Sequence, residues 1–223
     1  MIKNKKFAFT LAEVLITLGV IGVVSAITMP TLIQNYQKNV TVNRLKETYS
    51  ILSQAVKMSE IDNGDITEWE FPKNTAQSHV EWINKYLVPY MKIIAVEEGS
   101  EGGKWPAGIV KLANGTEIKI WNGYNENIKS VEVSVMLNGK EKSIYKKSYF
   151  VFYIGSTSGN NHLFNDKKGV KPYDFTGGYQ NDDLRTILRD APSYGCNKES
   201  QIGKLCSALI MHDGWQIKDD YPW

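Results

Sequence analysis

Cysteine and histidine are scarce in this sequence, and neither sign of charge is in large excess. Its 223 residues include two cysteines and three histidines, and no His/Cys group has the spacing of a zinc site. The chain has 26 basic and 24 acidic side chains. Three of the basic ones, Lys3, Lys5 and Lys6, lie at the N-terminus, so the rest of the chain is close to neutral. A near-neutral body gives no electrostatic reason to expect nucleic acid as the main partner.

The sequence also lacks a recognisable catalytic set. The histidines, His79, His162 and His212, are scattered along the chain. His212 is followed by Asp213, but adjacent residues cannot form the relay that activates a nucleophile, and no Ser or Cys elbow motif accompanies them. We therefore expect a protein that is not an enzyme, with His212 at the surface or in a turn.

Residues 9–32 form a long apolar run in which Glu13 is the one ionisable side chain. As a helix these 24 positions span about 36 Å, enough to cross a hydrocarbon core of about 30 Å. The lysine-rich segment ahead of the run should stay in the cytoplasm by the positive-inside rule.

Three interpretations of this N-terminus compete: a cleaved secretory signal peptide ending near Ala26, a plain signal anchor, and a leader cut just before the apolar run. Glu13 distinguishes them, because a carboxylate inside an apolar segment costs about 2.5–3.5 kcal/mol even on lenient insertion scales. A discarded signal peptide gains nothing from that cost. A cut before Phe9 would create an α-amino group, and a carboxylate from a neighbouring copy could neutralise it in an apolar fibre core.

The segment around Glu13 resembles the processing and methylation motif of type IV prepilins and type II secretion pseudopilins, on the residues Ala8, Phe9, Thr10, Leu11, Ala12, Glu13, Val14, Leu15 and Ile16. The resemblance implies that Ala8 is the last leader residue, that Phe9 becomes the N-methylated terminus, and that Glu13 is the assembly carboxylate. Pro30 matches a proline that the family often carries about two-thirds along the apolar segment.

This resemblance implies a structural subunit of a type IV pilus-like or type II secretion pseudopilus filament. The partners it implies are the prepilin peptidase/N-methyltransferase, other copies or related pilin subunits, the inner-membrane assembly platform and membrane lipid. It also implies a single-pass protein of the inner membrane with its head outside the cytoplasm, later part of an extracytoplasmic filament. The alternative is a secreted or surface binding or adhesion domain with an ordinary signal peptide.

The fold class that we expect is α+β, a long N-terminal helix packed on an antiparallel sheet head, which is also pilin-like. Residues 1–8 form the leader, 9–33 the transmembrane or fibre-core helix, 34–59 its amphipathic continuation and 60–223 the head. The helical spacing of Leu45, Tyr49, Leu52 and Val56 predicts a buried stripe on the second half of one helix over 9–59. Pro30 should kink that helix or loosen one turn.

Within the head, the pattern predicts a helix at 76–92 with a break near Pro89 and a short helix at 182–189. Two Asn-Gly pairs, at 114–115 and 138–139, predict hairpin turns. Residues 155–180 are rich in Gly, Asn, Asp and Lys and predict a loop. The predicted strands are 109–112, 117–121, 131–137, 143–145, 149–154, 208–211 and 215–217.

Cys196 and Cys206 enclose a short loop that a disulfide could close. An exported head would be in an oxidising compartment, where the bond should form, and many pilins carry a C-terminal disulfide loop; two unpaired thiols are the alternative. We expect no cofactor and no metal. Asn165, Asp166 and Asp174 could supply oxygen ligands for calcium, but lysines lie among them, so a solvated loop is preferred.

Overall fold

The structure, a computed structural model, describes residues 10–122, 129–157, 161–164 and 167–223. The chain divides into two compact units, Met1–Val40 and Thr41–Trp223. The first unit contains the start of the long helix α1, Leu11–Asn63, and the second contains its end and the whole of the sheet.

Helix α1 confirms the predicted long helix and continues four residues beyond the expected end at 59. Pro30 lies inside it, in a stretch that is helical on both sides, and the kink stays a prediction. In the first unit its large apolar side chains are exposed, among them Leu15, Ile16, Ile27 and Leu32. Two threonine hydroxyls in this stretch donate to helix carbonyls, Thr17 to Val14 at 2.9 Å and Thr28 to Val24 at 2.9 Å.

The second half of α1 buries one face, as the periodicity predicted. The buried positions recur every three or four residues and are Val42, Leu45, Thr48, Leu52, Ala55, Val56 and Ser59. Tyr49, which was also expected on this stripe, is half-buried and packs against the ring of Phe152 at 5.9 Å. These side chains share one core with the inward residues of the sheet.

The sheet is a six-stranded antiparallel meander in which neighbours in sequence are neighbours in space. Its strands are β1 Ile93–Glu101, β2 Trp105–Leu112, β3 Glu117–Trp121, β4 Ser130–Met136, β5 Tyr149–Ser156 and β6 Lys168–Pro172. The first Asn-Gly turn joins β2 to β3, with Gly115 at φ 78°, a conformation that glycine adopts without strain. The second follows β4, with Gly139 at φ 73°.

Arg44 of α1 binds both turns at once. Its guanidinium donates to the Asn138 side chain at 2.9 Å, to the Asn114 carbonyl at 3.1 Å and to the Leu137 carbonyl. Because a charged donor makes stronger hydrogen bonds than a neutral one, this residue fixes the helix against the turn end of the sheet.

The two faces of the sheet differ in chemistry. On one face Val131, Val133 and Val135 lie opposite Ile154, Phe152 and Phe150, and all six are buried in the core. Because side chains alternate along a strand, the intervening residues point to the other face. There Glu132 lies between Trp121 of β3 and Tyr153 of β5.

The predicted helix at 76–92 with a break near Pro89 is confirmed: α2 spans Ala76–Tyr86, and a 3-10 turn at Val88–Tyr90 follows because Pro89 cannot continue the α-helical hydrogen bonding. Three predicted strands are wrong. No strand forms at 143–145, where Tyr145 makes only an isolated bridge to Tyr149. Residues 208–211 belong to a helix, α4 Cys206–His212, and 215–217 form no strand. Residues 208–210 are all buried, and such a short run has no periodicity that separates a helix from a strand.

Two strands were not predicted. Strand β1 starts with the apolar residues Ile93 and Ile94 but continues into an acidic stretch with Glu97 and Glu98, and β6 begins with a lysine and a glycine inside the segment that was predicted as a loop. Both lie at the edges of the sheet, where charged side chains are favoured because they discourage pairing with other chains.

The C-terminal part of the head carries two short helices and a disulfide. Helix α3, Leu184–Asp190, matches the predicted short helix and begins at Asp183, whose carboxylate accepts from the Thr186 amide at 2.9 Å. Cys196 and Cys206 are both buried and form a disulfide, with Cα atoms 4.7 Å apart.

Candidate functional site

Thr10 and Glu13 form a reciprocal capping box at the start of α1. The Glu13 carboxylate accepts from the Thr10 amide and from the Thr10 hydroxyl, both at 2.8 Å, and the Thr10 hydroxyl accepts from the Glu13 amide at 3.2 Å. The Thr-x-x-Glu spacing produces this geometry, because the third helical residue faces back to the cap. The carboxylate is therefore held beside the first peptide bond after Phe9.

The helix that follows this capping box is suited to a membrane. Among the described residues, α1 is the helix that is long and apolar enough to cross a bilayer, and its apolar window is fully exposed within the protein. The hydroxyls of Thr17 and Thr28 donate hydrogen bonds to carbonyls of the same helix, because lipid offers them no hydrogen-bond partner. These features indicate that the N-terminus anchors the chain in a membrane.

The two residues expected at the processing site, Ala8 and Phe9, lie outside the described residues. Glu13 is thus the one member of the predicted processing and assembly set whose surroundings are described. Sequence reasoning assigned it an assembly role and missed its bond to Thr10, although the Thr-x-x-Glu spacing was available to find it.

The three histidines have three different partners. His79 is buried and its Nε2 accepts from the Asn122 amide at 3.1 Å, while the Nδ1 of His162 lies 2.7 Å from the Asp174 carboxylate. His212 ends α4, half-exposed, with its Nδ1 3.6 Å from Asp213.

Asp174, which was considered as a calcium ligand, instead accepts hydrogen bonds from neighbouring protein groups. Asp174 is fully buried, accepts from Lys171 at 2.9 Å and from the Phe164 amide at 3.1 Å, and contacts His162. Burial opposes ionisation, but the hydrogen bonds from His162 and Lys171 hold the pKa of Asp174 below its usual value. Asn165 and Asp166 lie outside the described residues, and the part of the chain that is described contains no cluster of three or more metal-binding side chains.

Comparison with known families adds two findings. A family model described as the prokaryotic N-terminal methylation motif matches residues 3–29, which include the capping box. A second model, described as a family of unknown function, DUF6613, matches residues 31–223. The chain belongs to DUF6613. Its N-terminal segment is type IV pilin-like, and this motif is that of a precursor that prepilin peptidase processes.

The pilin-like assignment agrees with the architecture. This DUF6613 protein has a long helix, apolar in its first part, and an antiparallel sheet packed on the second part, which is the expected α+β layout. No curated protein and no solved structure matches the chain.

Proposed function

We propose that this DUF6613 protein is a structural, non-enzymatic subunit of a type IV pilus-like or type II secretion pseudopilus filament. The observation that supports the proposal most is the continuity of three features at one end of the chain. The methylation motif at 3–29 overlaps an exposed apolar helix, and that helix carries the Glu13 carboxylate in its first turn.

In the proposed pathway the precursor inserts with its lysine-rich leader in the cytoplasm and its head outside. Prepilin peptidase cuts after Ala8, and the new Phe9 amine is methylated. At the inner-membrane assembly platform the subunit then leaves the lipid and joins other copies or related pilin subunits, so that their apolar helices form the filament core.

Glu13 sets the register of each added subunit in this account. A carboxylate in a low-dielectric core is costly unless a counter-ion meets it, and the cationic amine at Phe9 of a neighbouring copy is such a partner. Subunits in a wrong register leave that carboxylate unpaired and are therefore disfavoured. The capping box supports this role because it holds the exposed carboxylate in a fixed position at the start of the helix.

The disulfide supports an extracytoplasmic location for the head. Disulfides persist in oxidising compartments and are rare in the cytosol, and Cys196 and Cys206 are the chain's two cysteines. The same orientation follows from the basic leader at residues 1–8.

The test is a Glu13→Gln variant expressed in the native host in place of the wild type. We expect normal insertion and cleavage, because glutamine costs less than a carboxylate in lipid, but at least about a tenfold loss of sheared filaments, since the charge pair is gone. Glu47→Gln is the matched control: it removes an exposed carboxylate from the head part of the same helix and should leave filament yield unchanged. Normal filament yield from Glu13→Gln would refute the charge-pair mechanism.

A further inference from the structure

The polar face of the sheet carries an aromatic groove of about 630 Å³. This volume lies within the range of about 300–1,000 Å³ that is usual for small-ligand sites. Seven of its lining side chains are rings: the half-buried Trp105, Tyr153, His162, Phe175 and Tyr194, and the buried Trp121 and Tyr173.

Strand pairing and the disulfide assemble the groove. Trp121, Glu132 and Tyr153 lie side by side on three consecutive strands because their registers coincide. Lys204 belongs to the loop that the disulfide closes, and the Leu205 amide donates to the Tyr194 carbonyl at 2.9 Å. All residues that line the groove belong to the unit Thr41–Trp223.

The charged residues that line the groove balance: two lysines, Lys104 and Lys204, and two glutamates, Glu101 and Glu132. Lys204 donates to both oxygens of Glu132, at 2.9 and 2.8 Å, and its Nζ lies 4.9 Å from the Tyr173 ring centroid. Glu101 pairs with Lys119. A cation would have to displace Lys204 from the aromatic faces, and an anion would meet Glu101 and Glu132, so the groove favours a neutral ligand.

Asn122 leaves one acceptor of the groove unmatched. Its side chain is held by donation from Nδ2 to the Pro72 carbonyl at 2.7 Å, and its backbone amide donates to His79. Its Oδ1 is buried and accepts no hydrogen bond from the described residues. A buried acceptor without a donor is unfavourable, and this one belongs to a residue that lines the groove.

We propose that this groove binds a neutral saccharide. Sugar rings combine apolar C–H faces, which pack on aromatic rings, with hydroxyls that both donate and accept hydrogen bonds, so they fit half-buried rings around a charge-balanced polar floor. The Glu132–Lys204 pair supplies the polar contacts, and the half-buried rings of Trp105, Tyr153, Phe175 and Tyr194 supply the stacking surface. A filament subunit with such a groove would attach to surface polysaccharide.

The test uses the full chain purified in detergent and a panel of neutral oligosaccharides built from glucose, galactose, mannose or N-acetylglucosamine. Calorimetry and saturation-transfer NMR would measure binding, with sialylated sugars and a mixed peptide library as comparison ligands. We expect at least one neutral saccharide to bind with a dissociation constant below about 1 mM, a free energy of about −4 kcal/mol. Absence of binding by every neutral saccharide, or binding of the charged sugars or peptides alone, would overturn the proposal.

Variants locate the binding. Tyr194→Ala removes a half-buried ring of the groove and should weaken binding about fivefold or more, whereas Tyr194→Phe keeps the ring and should retain most of the affinity. Tyr90→Ala is the matched control, because Tyr90 is also half-buried but lies outside the groove, against Asp62 of α1. Near-ultraviolet circular dichroism would verify that each variant is folded. Equal loss of affinity in Tyr194→Ala and Tyr90→Ala would refute the assignment to this groove.

Discussion

At the scale of single residues, the head buries an unusual number of polar side chains, and each needs a partner. Lys171 and Asp174 are almost fully buried and satisfy each other at 2.9 Å, with further bonds to neighbouring groups. His79 is buried with both ring nitrogens engaged: Nδ1 lies 2.7 Å from the Thr75 carbonyl and Nε2 accepts from Asn122. These bonds require the neutral imidazole with its proton on Nδ1.

The state of His79 predicts how stability depends on pH. Burial lowers the pKa of His79 below its ordinary value of 6.5, so the unfolded chain binds the proton before the folded one does. The free energy of unfolding should therefore have its full value above about pH 6.5 and should decrease as the pH drops from there towards the folded-state pKa. Urea unfolding at pH 7.5, 6.5 and 5.5 measures this dependence.

The control for that experiment is His79→Gln, which cannot take up a proton in this range. It should be less stable than the wild type at pH 7.5 but lose less stability on acidification. An equal slope of stability against pH in the two proteins would exclude His79 as the titrating group.

At the scale of the residues that form sites, sequence alone was informative where a single feature stood out from its surroundings. Glu13 was found because it is the one charge in an apolar run at 9–32. The groove could not be found in the same way. Its rings are spread from Trp105 to Tyr194, and only the registers that place Trp121 beside Glu132 and Glu132 beside Tyr153 bring them together.

At the scale of secondary-structure elements, strong local signals were predictive and mixed ones were not. The helix α1 stripe and the β2–β3 hairpin with its Asn-Gly turn follow from periodicity and turn chemistry. The acidic second half of β1 and the whole of β6 depend on pairing with a neighbour, because glutamate, lysine, glycine and proline do not favour a strand. Helix α4 was mistaken for a strand because all but its last two residues are buried.

The disulfide loop is the element whose removal should be most informative. In the chain-entropy model, closing a loop with a sequence separation of 10 stabilises the folded state by about 2.5–3 kcal/mol. The double variant Cys196→Ala, Cys206→Ala should therefore lower the free energy of unfolding by about 2–4 kcal/mol, since two buried sulfur atoms are also lost. Urea unfolding of the oxidised proteins measures it.

Reduction provides the internal control for this prediction. Dithiothreitol should lower the unfolding midpoint of the wild type and leave that of the double variant unchanged. If the oxidised wild type and the double variant unfold at the same urea concentration, the loop does not stabilise the head.

At the scale of the whole molecule, the two units have surfaces suited to different environments, one apolar and one aqueous. The unit Met1–Val40 exposes apolar side chains and suits lipid or a filament core, whereas the unit Thr41–Trp223 buries a continuous core and keeps a polar sheet face. The family models divide the chain about ten residues earlier, with the methylation motif at 3–29 and DUF6613 at 31–223. A type IV pilin-like N-terminal segment is thus joined to a head with a chemistry of its own.

The most direct measurement is the mass of the mature N-terminal peptide, purified from a host with prepilin peptidase and from one without it. The account predicts a chain that begins at N-methylated Phe9 in the first host and retains the leader, residues 1–8, in the second. A mature chain that begins at Ile27 would instead indicate an ordinary signal peptide and a secreted binding domain. That start, or an uncut leader in the presence of the peptidase, would contradict the filament-subunit account.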